Sequence, residues 1–212
     1  MSYVGEKRLK NWSASEVTPK ATGVVCLNDG QPTSEWVKQH LQLTPDNLQA
    51  EVLDATEDSI LLLCTRQWGK STIAAAKALH HALTRPKAFI IVASASKLQA
   101  DELVRKYLEF AQTLGLKVKR DGAGFLLPNL ARIIAVPQSP DTVRGYSAPS
   151  LIIIDEAAYV RDEMYEAVTP MLAASNGSLW LLSTAGRQGG FFFKTWQTRP
   201  DGWKLVKATA RF

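Results

Sequence analysis

The chain is poor in the residues that staple small or secreted folds. Two cysteines, Cys26 and Cys64, stand among 212 residues, too few for a disulfide framework and without metal-ligand spacing. Three histidines add no ligand set, because the adjacent pair His80 and His81 leaves a helix toward different sides. No apolar run reaches the length of a membrane span, and the start, MSYVGEKRLKNWSASEV, lacks the apolar centre of a signal peptide. No internal repeat or low-complexity tract is visible. A structural metal site and a membrane partner are therefore not expected, and a cytoplasmic protein is.

The composition itself is that of a folded domain. Hydrophobic residues make up 46 % and charged residues 21 %, an ordinary globular balance. The length allows one sizeable domain, or one domain with a small appendage. With 25 Lys+Arg against 20 Asp+Glu, the net charge is +5. That suits a polyanionic partner without specifying one.

Residues 1–42 are mixed and polar, interrupted by Pro19, Gly30 and Pro32, and read as an arm or subdomain with one short helix around SEWVKQHLQL. From residue 43 to 212 the pattern is that of an α/β domain. TPDNLQAEVLDA starts a helix, with Thr44 as its cap and Pro45 at the first helical position. Short apolar runs follow at 60–64, 88–94, 131–137, 151–156, 178–184 and 203–210. Most are apolar throughout, as strands are when both sheet faces are covered. Helical periodicity fills 70–84, 96–114 and 161–174 between them. The alternation predicts a mainly parallel sheet with helices on both faces, a three-layer α/β fold.

Two segments carry chemistry. In LLLCTRQWGKSTIAAAKAL, a strand runs into Gly69, Lys70 and Ser71 at a helix start. A phosphate-binding loop needs that context: backbone amides and the helix dipole hold phosphate oxygens, the lysine bridges terminal phosphates, and the hydroxyl ligates Mg²⁺. Cys64 stands where G-x-x-x-x-G-K-[ST] has its first glycine, which a small side chain tolerates if the backbone there is ordinary. In LIIIDEAAYV, an apolar strand ends in Asp155 and Glu156. An aspartate there holds the Mg²⁺ shell and a glutamate polarises the attacking water in nucleotide hydrolysis. Gly-Lys-Ser alone opens many ordinary helices, and Asp-Glu pairs cap others. The two in order, a βαβ pattern apart, point jointly to a P-loop NTPase that hydrolyses Mg-ATP.

Arg66 and Gln67 inside TRQWGKST make the loop resemble that of the tailed-bacteriophage terminase large subunits, the ATP-driven DNA-packaging motors. Three more segments agree in order. LTPDNLQAEVLD looks like the family's adenine-recognition stretch, DTVRGYSAPSLIIIDEAAYV like its acidic strand with the preceding arginine, and GSLWLLSTAGRQGGFFFKTWQ like its coupling motif, a Ser-Thr strand end before an aromatic-rich helix. The likeness covers about residues 43–210. It implies a RecA-like sheet in which the Ser-Thr strand lies between the phosphate-loop strand and the acidic strand.

The resemblance also implies roles. Gln49 would bind the adenine edge, and Thr65, Arg66, Gln67, Trp68, Gly69, Lys70, Ser71 and Thr72 would surround the nucleotide, with Trp68 packing or covering it. Ser71 and Asp155 would hold Mg²⁺, and Glu156 would serve the water. Arg66 would touch the γ-phosphate in cis or pair with a carboxylate. Arg144 would be an arginine finger given to the next subunit, or else a structural salt bridge. Thr184 would sit beside the γ-phosphate. The implied partners are double-stranded DNA, further copies in a ring (pentameric on the portal), the portal protein and the terminase small subunit, at the procapsid portal in the host cytoplasm.

A nuclease domain, usual after the motor in this family, is not expected within these residues; Asp162, Glu163 and Glu166 read as a solvated helix start. Arg105, Lys106, Lys117, Lys119 and Arg120 are the candidate DNA-phosphate contacts. Two other readings stay open: a single helicase-type lobe, and an assembly module that binds ATP with little turnover.

Overall fold

The computed structural model describes residues 30–94, 96–137 and 139–209. In chain order the elements are α1 (Thr33–Leu41), α2 (Asn47–Asp54), β1 (Ser59–Cys64), α3 (Lys70–Thr84), β2 (Phe89–Ser94) and α4 (Lys97–Thr113). A short hairpin, β3 (Lys119–Asp121) and β4 (Gly124–Leu126), precedes β5 (Arg132–Pro137), α5 (Pro140–Arg144) and β6 (Leu151–Asp155). A single 3-10 turn (Ala157–Tyr159) leads to α6 (Asp162–Ser175), β7 (Ser178–Thr184), α7 (Gly190–Thr198) and β8 (Trp203–Ala208).

All eight strands share one sheet in the order β3-β4-β5-β2-β6-β7-β1-β8. Strands β5, β2, β6, β7, β1 and β8 are mutually parallel, and the antiparallel pairings are those of β4 with β3 and with β5 at one edge. The Ser-Thr strand β7 does lie between β1 and β6, as the resemblance implies. Parallel pairing puts the C-terminal ends of β1, β6 and β7 at one edge of the sheet, with Cys64 opposite Thr184 and Asp155 opposite Leu182.

Each central strand feeds two cores, which is why its apolar run is unbroken. Ile60, Leu62, Ile90, Val92, Ile153 and Leu182 pack toward α1–α4, against Trp36, Ile73, Leu79, Leu103 and Tyr107. Their strand neighbours Leu61, Ile91, Ile152, Ile154 and Leu181 pack toward α5–α7, against Val143, Met164, Val168, Phe191 and Phe192. Each fully buried large aliphatic side chain contributes about 1.5–3 kcal/mol over its exposed form. Helix α1, assigned from sequence to the arm, puts Trp36, Val37 and Leu41 into the first of these cores. Residues 1–29 of that arm lie outside the described residues. No helix among the described residues is long and apolar enough to cross a membrane.

Two local features differ from the sequence expectation. Helix α2 is capped by Asp46 rather than Thr44, so Pro45 precedes the helix instead of opening it. The carboxylate accepts from the amides of Leu48 and Gln49, and the Gln49 side chain accepts from the Asp46 amide in return, a full capping box. The hairpin was not foreseen: its strands are three residues each, and β3 is Lys-Arg-Asp, with none of the apolar alternation that marks a strand. Asp121-Gly122 at its turn was the available signal.

Gly124 is where this hairpin meets the sheet. A Cβ there would come within 1.9 Å of the Ile133 carbonyl oxygen and 2.6 Å of the Ile134 Cα, backbone atoms that cannot rotate away. Gly124→Ala is expected to destabilise the domain by about 2 kcal/mol or more in urea titrations, whereas Gly189→Ala, which meets nothing within 4 Å, should stay within about 0.5 kcal/mol.

Candidate active site

The phosphate loop leaves β1 at Cys64. This residue keeps strand pairing with Thr184 on one side and Ala208 on the other, so no glycine is needed for its backbone. Its side chain turns into the first core, 3 % exposed, with the thiol 3.7 Å from the Ser183 carbonyl. Burial pushes that thiol up to about 11, against the opposing pull of Lys70. Cys64 is a packing residue beneath the loop.

Beyond it the chain turns through two left-handed residues, Gln67 (φ 64°) and Gly69 (φ 93°). The Thr65 amide anchors the start of the turn on the Ala208 carbonyl at 3.0 Å. Gln49 anchors its end: its side-chain amide donates to the Trp68 carbonyl at 2.8 Å. Gly69 is the N-cap of α3, and no side chain caps that helix. The N-terminal amides of a 15-residue helix thus open toward the loop, a ready anion site.

Lys70, on the first turn, is buried, and its ammonium lies between two carboxylates. It pairs closely with Asp155 Oδ1 and donates to Glu156 Oε1 at 2.8 Å. Burial pulls the Lys70 pKa down, but Asp155 and then Glu156 outweigh it and hold it above its ordinary value. Asp155 Oδ1 also accepts the Glu156 amide at 2.9 Å.

Glu156 stands just past the strand in the left-handed region, at φ 52° and ψ 40°, a conformation costing a non-glycine residue about 1–2 kcal/mol. The turn aims its carboxylate back across the sheet edge. Oε2 accepts from the Ser183 hydroxyl at 3.3 Å, the Thr184 hydroxyl at 3.3 Å and the Thr184 amide at 3.4 Å. Burial raises this carboxyl's pKa; Lys70, helped by Thr184, overrides burial and leaves it below the usual value.

These groups line a cavity of about 870 Å³. Residues 65–72 form one wall, Asp155, Glu156 and Thr184 the floor, and Tyr159 part of the rim. Arg66 lies here, exposed on the loop. The opposite wall is one face of α4: Leu98, Gln99, Glu102, Leu103 and Lys106. Sequence reading missed this wall and grouped Lys106 with Arg105 as a DNA candidate. Arg105 itself does not line the cavity, although it pairs at 2.6 Å with Glu102, which does. The usable signal was topological: the crevice of a parallel sheet opens at the carboxyl ends of its strands, where the helix after β2 begins.

Two predicted residues are not cavity-lining. Gln49 supports the loop from behind. Arg144, at the end of α5, has a side chain 59 % exposed and, among the described residues, pairs with Asp141, one turn away at 3.6 Å. Asp162 does more than begin a helix, for it accepts the Phe191 amide at 2.9 Å and so caps the start of α7.

Among the described residues no cluster of three or more His, Cys, Asp or Glu could hold a metal. Mg²⁺ takes one or two protein oxygens and fills its shell with phosphate and water. The buried Asp155 carboxylate and the Ser71 hydroxyl, both on the cavity wall, fit that requirement.

Comparison with known proteins places the chain in a family and gives its fold. The model of the family "Terminase large subunit, T4likevirus-type, N-terminal" matches residues 61–198, well over half of the chain. The chain belongs to this family. A search of curated proteins finds no match. Among solved structures, the large terminase ATPase domain of Thermus phage P74-26 superposes with a TM-score of 0.73 at 17 % identity, covering 84 % of this chain and 86 % of that one. The HK97 bacteriophage large terminase gives 0.70 at 18 %, covering 85 % of this chain and 43 % of that one. The large terminase of a thermophilic bacteriophage, solved in complex with ADP, gives 0.67 at 11 %, covering 77 % and 45 %. This chain therefore spans less than half of the two full-length large terminases, and at these identities the likeness establishes the fold.

The shift at Glu156 has a signed consequence. A carboxyl whose folded pKa lies below its unfolded value stabilises the fold above the unfolded value, and loses that contribution as pH falls through the folded one. Wild type should therefore exceed Glu156→Gln in urea midpoint near pH 7, and the gap should close as pH falls below about 4. A gap that persists unchanged in acid would show that the Lys70–Glu156 contact does not set it.

Proposed function

We propose that this terminase domain hydrolyses Mg-ATP and that the hydrolysis drives double-stranded viral DNA into a procapsid. The observation that carries the reading is the meeting of Lys70 with Asp155 and Glu156 at the mouth of the phosphate loop. The same ammonium that neutralises two carboxylates is within reach of a polyphosphate seated on the α3 amides. When Lys70 turns to the terminal phosphates, Glu156 loses the interaction that lowers its pKa, and its Oε1 faces the cavity as a stronger base. It can then take the proton of a water whose oxygen bonds to the γ-phosphorus, while the bond to the β–γ bridging oxygen breaks and ADP leaves. Mg²⁺ on Ser71 and Asp155 would neutralise phosphate charge when bound.

Thr184 holds the other carboxylate oxygen and stands between this chemistry and the turn leading to α7. Arg66, exposed on the loop wall of the cavity, would meet the γ-phosphate in cis or pair with a carboxylate. Gln49 contributes by fixing the loop through the Trp68 carbonyl, and adenine recognition by that side chain would require it to leave this bond. For Arg144, wide exposure and an exposed pairing with Asp141, a pair worth little, support a finger given to another copy rather than a structural salt bridge. The motor is then a ring of copies on the portal, pentameric there, acting with the small subunit in the host cytoplasm. Sequence-independent DNA grip would come from lysines and arginines summed over the ring.

Steady-state ATPase measured against protein concentration tests this. Activity should rise faster than linearly. Arg144→Ala and Glu156→Ala should each lose about 100-fold or more, and a mixture of the two should regain activity, because an intact Glu156 site borrows Arg144 from its neighbour. Strictly linear activity with no rescue would remove the trans finger.

A further inference from the structure

The wall that α4 gives to the cavity carries one polar side chain whose bonding is one-sided. Gln99 lines the cavity, and its side-chain carbonyl accepts from two hydroxyls, Ser94 at 3.3 Å and Ser96 at 3.4 Å. Among the described residues nothing accepts from its Nε2. Two N–H donors therefore remain for a ligand.

Strand alternation locates this amide. Val92 and Ile153 pack toward α1–α4, so Ser94 and Asp155, each two residues further along β2 and β6, face the same side. They are direct partners in the parallel register, on strands about 4.8 Å apart. Ser94 is fully buried, and its hydroxyl donates to Gln99. The amide is thus held over the end of β2, one strand beyond Asp155. With the order β2-β6-β7-β1, that is the side away from the phosphate loop.

Helix capping does not account for the arrangement. Ser96 is the N-cap of α4, and its hydroxyl accepts the Gln99 backbone amide at 3.2 Å. In a full capping box the side chain at the position of Gln99 returns to the N-cap backbone amide, as Gln49 does on α2. Gln99 instead takes two hydroxyls, one of them from the strand. A glutamate would accept both as well and would suit a helix start better. Only the amide keeps donors for a ligand made of acceptors, as a phosphate is.

We propose that Gln99 reads the terminal phosphate of the bound nucleotide: its Nε2 donates to a γ-phosphate oxygen, and Ser94 and Ser96 fix the amide for that contact. The inference rests on the cavity being a nucleotide site, as proposed above. Phosphates that begin on the loop after β1 and run toward Asp155 end on the β2 side. The γ-phosphate then meets Gln99, whereas the α- and β-phosphates stay on the loop. Gln99 is thereby a residue that separates ATP from ADP.

The test is calorimetric binding of ATPγS and of ADP, each with Mg²⁺, to wild type, Gln99→Met and Gln99→Glu. Melting temperatures of the nucleotide-free proteins are measured alongside. Gln99→Met keeps the length of the side chain and loses donor and acceptor; Gln99→Glu keeps the acceptor for the serines and loses the donors. Both should bind ATPγS about tenfold more weakly or worse, the scale of one hydrogen bond to a charged group, and ADP within about twofold of wild type. Gln99→Glu should melt at or above wild type. ATPγS affinity near the wild-type value in both variants would overturn the proposal. So would an equal loss for ATPγS and ADP, since the side chain would then act through the fold or the loop. A wild-type protein that binds neither nucleotide would instead overturn the nucleotide reading beneath it.

Discussion

A buried ammonium between two carboxylates is the constraint around which this domain is arranged. Lys70 sits at the start of α3, after β1, while Asp155 ends β6 with Glu156 just past it, and β7 lies between those strands. Two inter-strand spacings of about 4.8 Å separate the backbones, a distance that a lysine crosses only over the end of the intervening strand. The strand order and the parallel register are therefore what allow the contact. They also place Thr184 beneath it, where its amide and hydroxyl reach Glu156. Removing one member of such a buried set leaves an uncompensated charge, which costs about 3–5 kcal/mol. The site and the centre of the sheet are accordingly one structure.

On the proposed reading, the same arrangement would link nucleotide binding to catalytic readiness. Lys70 lowers the Glu156 pKa while it is paired with the carboxylates and would have to leave them to neutralise phosphates. Glu156 is held in a left-handed conformation that puts its carboxylate between Lys70 and the Ser183–Thr184 strand end. From Thr184 the chain passes to the turn before α7, which Tyr159 holds through the Ala185 carbonyl at 3.0 Å and Asp162 through the Phe191 amide. A change at the carboxylate thus has a short covalent and hydrogen-bonded route to a helix.

Much of this was legible in the sequence, and the reasons are specific. Ile152–Ile154 and Leu179–Leu182 read as strands because both sheet faces are covered, and Gly69-Lys70-Ser71 read as a phosphate loop because a strand precedes it and a helix follows. Strand order was not legible from periodicity, which says nothing of neighbours; it came with the family resemblance. The second bond of Gln49, to the Trp68 carbonyl, depends on tertiary approach and leaves no local trace. Lys106 lines the cavity and Arg105 does not, because adjacent residues in a sequence leave a helix about 100° apart. Asp46 displaced Thr44 as the cap because its carboxylate satisfies two amides at once.

The measurement that bears most directly on this account is nucleotide binding and turnover in Glu156→Gln. The amide keeps the shape of the side chain but removes the base, so the account predicts ATP affinity within about threefold of wild type and a turnover lower by about 100-fold or more. Turnover near the wild-type value would contradict it, because some other group would then have to serve the water.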